Sequence, residues 1–303
     1  MGWIFAPLVL SAVFGLAGPA LARRLPPHLG TWLLSSGAVV AAAASSITLA
    51  LAAFLLLAQD PALVAEGHWS AAVVRGQAPW STSVGALAIA LVLVFAVSFV
   101  RVAVQRASAV RAAHRLAAGL PAGELTVIDS LERHAIAIPG RPGRILTTSG
   151  MLRVLDAPQR RALLAHERSH LRHGHHLHQT AVHLAAGVNP LLRRLPAATA
   201  LACERWADED AARASGRGSV AAALTRAATA GPPAASNGVV LAAASGDLLV
   251  RLAALDAPPL RERARLLLLG GLLLATAAAA ALALHDVEHL FELAQTAYRT
   301  GHR

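Results

Sequence analysis

Residues 163–178 read LLAHERSHLRHGHHLH, and seven of the chain's fourteen histidines fall between His166 and His183. The local signals around this run are those of a helix. Asp156 is a good N-cap, Pro158 falls in the first turn, and Gln159 stands three residues after the cap, as in a capping box. Gly174 is a natural stop. The pattern predicts a helix over 157–173.

Within that helix His166, Glu167 and His170 fit H-E-x-x-H. On an α-helix the two histidines lie about 40° apart around the axis and about 6 Å apart along it. Both imidazoles can then reach one metal ion, with Glu167 beside the open coordination position. Zinc in such a site acidifies its water, and the neighbouring glutamate takes the proton. Five residues alone are only moderately specific, since the pattern also arises by chance in histidine-rich helices.

A third ligand has to come from elsewhere. His173 lies on the same face but too far along the helix to complete a tetrahedron comfortably. The next helical pattern covers about 176–187 and is broken by NPLLRRLP (189–196). Another helix starts near Ala197 and carries ACERWADEDAARA. Glu204 on that helix is the better candidate, because a separate helix can pack across the first. Asp208 follows by four, faces the same way, and can accept the free N–H of a ligand histidine, fixing its tautomer. The plainer reading of ERWADED is a solvated acidic face. Cys203 is by default a buried thiol. His173, His175, His176 and His178 are expected to form a partly solvated helix junction, with metal buffering as the alternative.

Upstream, 125–130, 134–140 and 144–150 read as three short strands with a Pro/Gly turn between the last two, a small sheet. Residues 231–238 (GPPAASNG) read as a flexible loop. No internal repeat is visible.

The rest of the chain is apolar. It is 55% hydrophobic and only 15% charged, against roughly 25% charged in average soluble chains, which places much of it out of water. Four apolar stretches suit bilayer crossing: about 3–21, 31–58, 84–100 and 265–285. The first has no basic residues ahead of it, and Arg23 and Arg24 follow it, which argues against a cleaved signal peptide. Every basic residue is arginine, and the formal charge is +10. Arginines gather at 23–24, at 101–115 and at 261–265. The positive-inside rule therefore puts residues 101–265 in the cytoplasm and both termini outside. No basic, aromatic-rich platform appears, so direct nucleic-acid binding is not expected. One cysteine excludes an intrachain disulfide framework.

The set LLAHERSHLRHGH, NPLLRRL and ACERWADEDAA resembles the membrane zinc metallopeptidases of the BlaR/MecR antirepressor type, which are related to HtpX-like membrane zincins. The resemblance implies one zinc per chain on His166, His170 and Glu204, with Glu167 as general base and Asp208 orienting a ligand. HAIAIPGRPGRILTTSGML resembles the edge-strand segment that precedes the zinc helix in both families. Ala135, Ile136, Ala137 and Ile138 would then pair with an extended substrate. The antirepressors carry a penicillin-binding sensor after the fourth span, whereas here only 286–303 follow. The only tyrosine, Tyr298, lies in that tail. Arg205, His175, His176 and His183 stand unranked as transition-state donors.

The expectation is thus a mainly α, integral membrane protein. Residues 1–104 hold three transmembrane helices, 105–264 a cytoplasmic α+β zincin-like metallopeptidase domain with a small sheet, 265–285 a fourth transmembrane helix, and 286–303 a short tail outside. Its expected partners are the lipid bilayer and a protein or peptide substrate, which the resemblance extends to a BlaI-type repressor. Gly270 and Gly271 permit close helix packing within the chain or between copies. The rival reading is a non-catalytic zinc-binding membrane sensor or scaffold that uses the histidine cluster.

Overall fold

The computed structural model describes residues 4–77, 82–121, 123–229, 238–256 and 263–301. Chain order gives helices α1 (Ala6–Ala22), α2 (Pro27–Leu57), α3 (Pro61–Gly67), α4 (Ala71–Gln77) and α5 (Thr82–Ala118). Strands β1 (Leu125–Ile128), β2 (Ala135–Ile138) and β3 (Arg144–Thr148) follow. Then come α6 (Ser149–Val154), α7 (Ala157–Arg172), α8 (His175–Val188), a 3-10 turn at Pro190–Leu192, α9 (Leu195–Ser215) and α10 (Arg217–Thr229). The last helices are α11 (Gly238–Asp256) and α12 (Arg263–Gly301). The fold is mainly helical with one small sheet. The loop expected at 231–238 lies almost wholly outside the described residues.

Among the described residues three helices are long and apolar enough to cross a bilayer: Pro27–Leu57, Thr82–Ala118 and Leu266–Thr300. α1 is apolar but, at 17 residues, shorter. Four equivalent spans therefore become three long helices and a shorter companion. The helix that holds the fourth expected span does not stop near 285 but continues through the residues read as a tail. Beyond Leu284 the spacing of Val287, Leu290 and Ala294 keeps one face apolar, and that face is buried with Leu55, Ala58 and Val74. This continuing stripe explains why α12 runs unbroken to Gly301. Among the described residues nothing lies within 4 Å of where a Cβ would stand on Gly270 or Gly271, so neither is a close-packing point there.

Pairing partners fix the directions of the helices. Thr48 in the second half of α2 donates to the Ile4 carbonyl (3.0 Å), while Arg205 in α9 donates to the Arg23 carbonyl at the other end of α1 (2.8 Å). The Ser70 N–H meets the Ala294 carbonyl (2.9 Å). The start of α1, the α3–α4 segment and the end of α12 thus share one end of the bundle. Tyr298 stacks edge-on to His68 there, far from α7.

α8 and α9 do not stand clear of the apolar helices. Ser35 of α2 lies 2.8 Å from Nδ1 of His178, and Ser45 accepts from the Asn189 amide, also at 2.8 Å. α8 therefore runs alongside α2 in the same direction, and α9 returns. The hairpin tip reaches Ser45, about 27 Å along α2 from Pro27 at 1.5 Å per residue. Irregular backbone at such depth needs protein partners. Asn189 supplies one, accepting from the Leu191 N–H (3.0 Å) while bonded to Ser45, which in turn meets Ser11 of α1 (2.9 Å). Gly15 makes the contact with α1 feasible, since a Cβ there would lie 2.1 Å from the Leu191 carbonyl oxygen.

The sheet has the order β1-β3-β2, with β1 parallel and β2 antiparallel to β3. The His134 carbonyl accepts from the Thr148 N–H at 3.1 Å. Because antiparallel ladders alternate, the backbone groups of Ile136 and Ile138 point at β3, and those of Ala135 and Ala137 point outward. That open edge faces α7.

Candidate metal centre

α7 is held at its start by the capping box expected of its sequence: Asp156 accepts from the Gln159 N–H (2.9 Å), and the Gln159 side chain accepts from the Asp156 N–H (3.2 Å). Rigidity at this end fixes the rotation of the helix, so His166 and His170 face α9 together. Their Nε2 atoms lie 3.1 Å apart. Glu204, from the middle of α9, places its carboxylate oxygens 3.4 Å from His166 Nε2 and 3.5 Å from His170 Nε2. All three ligand atoms fall within 4.8 Å of one another, and this is the metal-competent group found among the described residues. Two imidazole nitrogens and one carboxylate, with a fourth side open to a cavity, fit the donor set of a catalytic zinc site. His173 does not join them. It bonds Asp210 instead (2.8 Å), which also accepts from Ser169 (2.8 Å). Cys203 is buried on the side of α9 that faces Thr31 of α2.

Asp208 lies where the sequence placed it, one turn after Glu204, with its carboxylate 3.0 Å from Nδ1 of His166. Its second partner has no local signal in the sequence. Arg251 of α11 binds Asp208 through two bonds, from Nε (2.8 Å) and NH2 (2.7 Å), and its NH1 lies 3.0 Å from Glu204. An arginine fork matches a carboxylate in this way and restricts its rotation. Arg217 adds a tie between α10 and α11 by donating to the Leu255 carbonyl (2.7 Å).

The electrostatics follow from these contacts. Burial alone would lower the His166 imidazole, but hydrogen bonds to Asp208 and Glu204 outweigh it and hold the group up at about 9. Burial would likewise raise Glu204, yet the His166 hydrogen bond and the nearby charges of His166 and Arg251 pull it down to about 2. Asp208 is also held low, its burial overcome by Arg251 and His166. Burial, and then the His166 charge, push His170 down to about 4. The two carboxylates and one guanidinium leave a net negative pocket around two imidazoles. Such a pocket attracts a proton, and it attracts a divalent cation more strongly.

Glu167 is only 8% exposed and faces the outward edge of β2. Burial raises its carboxyl above the usual range, against the His166 charge and a backbone hydrogen bond from Ala137. Two cavities meet here, and Ala135, His166, Glu167 and Glu204 line both. One, of about 270 Å³, is walled by apolar groups including Met151, Leu163 and Leu224. The other, of about 340 Å³, runs between β2 and α8 past His176 and Gln179. Ile136 also lines it, while Ile138 is buried against the protein.

The expectation of a solvated histidine junction is corrected for two residues. His175 and His178 are buried, at 1% and 7% exposed, because α8 packs back against α2 and α9. Trp206 of α9 covers the junction, stacked 4.2 Å from His173 and tilted 5.1 Å from His175. Of the four residues considered as transition-state donors, His175 and His176 line the second cavity, whereas Arg205 is turned to the Arg23 carbonyl.

Residues 104–226 match the model of peptidase family M48. No curated protein and no solved structure matches the chain. The matched segment runs from the end of α5 through α10 and contains His166, Glu167, His170, Glu204 and Asp208. It excludes Arg251 and most of the apolar scaffold. The match supports a metallopeptidase, and it singles out neither the antirepressor type nor the HtpX-like type.

Arg251 lies outside that segment, so its role is testable separately. Arg251→Met is expected to weaken zinc binding by about 10–100-fold, as loss of a partner behind a ligand does elsewhere. Competition with a metal-sensitive dye measures this. Unchanged affinity would mean that α11 is not needed to hold the two carboxylates.

Proposed function

We propose that this chain is a membrane-embedded zinc endopeptidase that cleaves extended polypeptide on the cytoplasmic side. The observation that carries the reading is the convergence of His166, His170 and Glu204 beside a buried Glu167, at the open edge of β2. Zinc held by these three residues would supply a Lewis acid for the scissile carbonyl and an acidified water. The remaining roles belong to the chain. Asp208 accepts the Nδ1 proton of His166 and so leaves Nε2 free to coordinate. Glu167, whose ionisation burial opposes, takes a proton from the attacking water and passes it to the leaving amine. Its raised pKa suits both directions of transfer.

The substrate reading rests on β2. A peptide added to this edge would exchange main-chain bonds with Ala135 and Ala137, whose backbone groups point outward, while the backbone groups of Ile136 and Ile138 are taken up by β3. The neighbouring apolar cavity would take a medium-sized apolar side chain next to the scissile bond, and the cavity past His176 and Gln179 the chain on the other side. These contacts are main-chain or apolar, so they select an extended conformation. They do not select a repressor of the BlaI type over another polypeptide, and the proposal stops at polypeptide.

Arginine placement supports the orientation. Arg23, Arg24 and Arg115 lie at the site end of the bundle, where Arg205 donates to the Arg23 carbonyl and Arg144 to the Ala117 carbonyl, and the positive-inside rule favours a cytoplasmic placement of that end. The α8–α9 hairpin would then enter the bilayer region shielded by α1, α2 and α5.

The test uses the full chain in detergent or lipid with a denatured protein substrate. Zinc-dependent cleavage that stops on chelation and returns with zinc is expected. A protein that binds zinc but cleaves no denatured substrate would instead be a sensor or scaffold.

A further inference from the structure

The two histidines of the metal centre are backed by different chemistry. His166 leans on a carboxylate, Asp208. Among the described residues no carboxylate stands behind His170. Its Nδ1 lies 2.9 Å from Nδ1 of His175, the first residue of α8. This contact is built by the chain reversal between the two helices. Gly174 takes a left-handed conformation (φ 60°, ψ 39°), a region that costs residues with a Cβ. The reversal swings His175 back against the turn carrying His170, and Trp206 packs on its face.

The direction of the hydrogen bond follows from the ligand geometry. His170 Nε2 faces His166 Nε2 and Glu204, so a metal there would be bound through Nε2. Nδ1 of His170 must then carry its proton and donate. Nδ1 of His175 must accept, which places the His175 proton on Nε2. That atom is buried and has no hydrogen-bond partner among the described residues. A buried N–H without a partner is a standing cost, and the fold bears it at this one imidazole beside the site.

We infer that His175 is a positioning residue, which accepts the Nδ1 proton of His170 and holds that ligand in its metal-binding tautomer and rotation. The inference rests on the metal-site reading above. It also explains the choice of a neutral acceptor. The site already contains Glu204, Asp208 and Glu167, and Arg251 offsets one charge. A fourth carboxylate behind His170 would add negative charge and make the ligand more electron-donating. An imidazole orients without doing either, which leaves a bound zinc more electrophilic.

The experiment compares zinc affinity, by dye competition on the full-length protein, in His175→Leu, His175→Asn, His178→Leu and Glu204→Gln. An asparagine side chain places an acceptor near the position of Nδ1, while leucine removes it. His178→Leu alters the same cluster but touches Ser35 rather than His170. Expected are a loss of about 10–100-fold for His175→Leu, near wild-type affinity for His175→Asn, and no change for His178→Leu. The absorption bands of the cobalt-loaded protein should shift in His175→Leu and return with asparagine. Equal losses in the leucine and asparagine variants would make His175 a packing residue and overturn the inference. So would wild-type affinity in His175→Leu while Glu204→Gln loses its metal, an outcome that leaves the metal centre intact. A wild type with no tight zinc would overturn the metal centre and this role together.

Discussion

Glu167→Gln is expected to lower peptide cleavage by about 10²–10⁴-fold while leaving one zinc per chain in place. Glutamine keeps the shape of a side chain that is 8% exposed, so packing against β2 should survive. Metal binding should survive too, because the three ligand atoms belong to His166, His170 and Glu204. What disappears is the carboxylate beside the ligand set that can accept a proton from water and return it. Cleavage of a denatured substrate, measured beside zinc content on the same sample, separates the two effects. Zinc retained with activity lost would assign Glu167 to chemistry. Activity within a few-fold of wild type would move the base elsewhere, and His176 in the adjoining cavity would be the next residue to examine.

Glu204→Gln should do the reverse and remove the metal. Glu204 is the only carboxylate in the ligand set, and its two oxygens stand 3.4 and 3.5 Å from the two histidine nitrogens. A neutral amide is a poorer donor to zinc, and the substitution also cancels the net negative charge left by Glu204, Asp208 and Arg251. The expected loss of affinity exceeds the roughly 10–100-fold that partners behind ligands contribute. A thermal readout checks it without any substrate. Zinc should raise the melting temperature of wild type, as any ligand of the folded state does, and should not raise that of the variant. Several weakly held ions in both proteins, indifferent to the substitution, would mean that the histidine run stores metal and that α9 supplies no ligand.

The elements legible in the sequence were those written locally. The capping box at Asp156 and Gln159 set the start of α7 to the residue, and i, i+4 geometry on a helix was enough to pair His166 with His170. Glu204 and Asp208 could be read because four residues on a helix keep two side chains on one face. Arg251 could not. It lies 43 residues beyond Asp208 on a helix with no motif, and only tertiary packing brings it to the site. His175 reads as partly solvated because five histidines in nine residues look polar, whereas the Gly174 reversal and Trp206 bury it. The apolar runs were plain, but their ends were not. The far half of α12 looked like a tail because it holds charges, and its buried stripe shows only against α2 and α4. The hairpin of α8 and α9 was hidden for a similar reason. NPLLRRLP marks a break in the helix, and nothing local says that the break sits beside Ser45.

The central claim is that one metal sits between α7 and α9 on two histidines and a glutamate. Zinc-edge X-ray absorption of the protein loaded with a single zinc tests it most directly. The account requires two imidazole scatterers and oxygen at about 2.0–2.2 Å, with the imidazole count unchanged by Glu167→Gln. Three or four imidazoles, or a sulfur at about 2.3 Å from Cys203, would place the metal in the histidine cluster or on the thiol and contradict it.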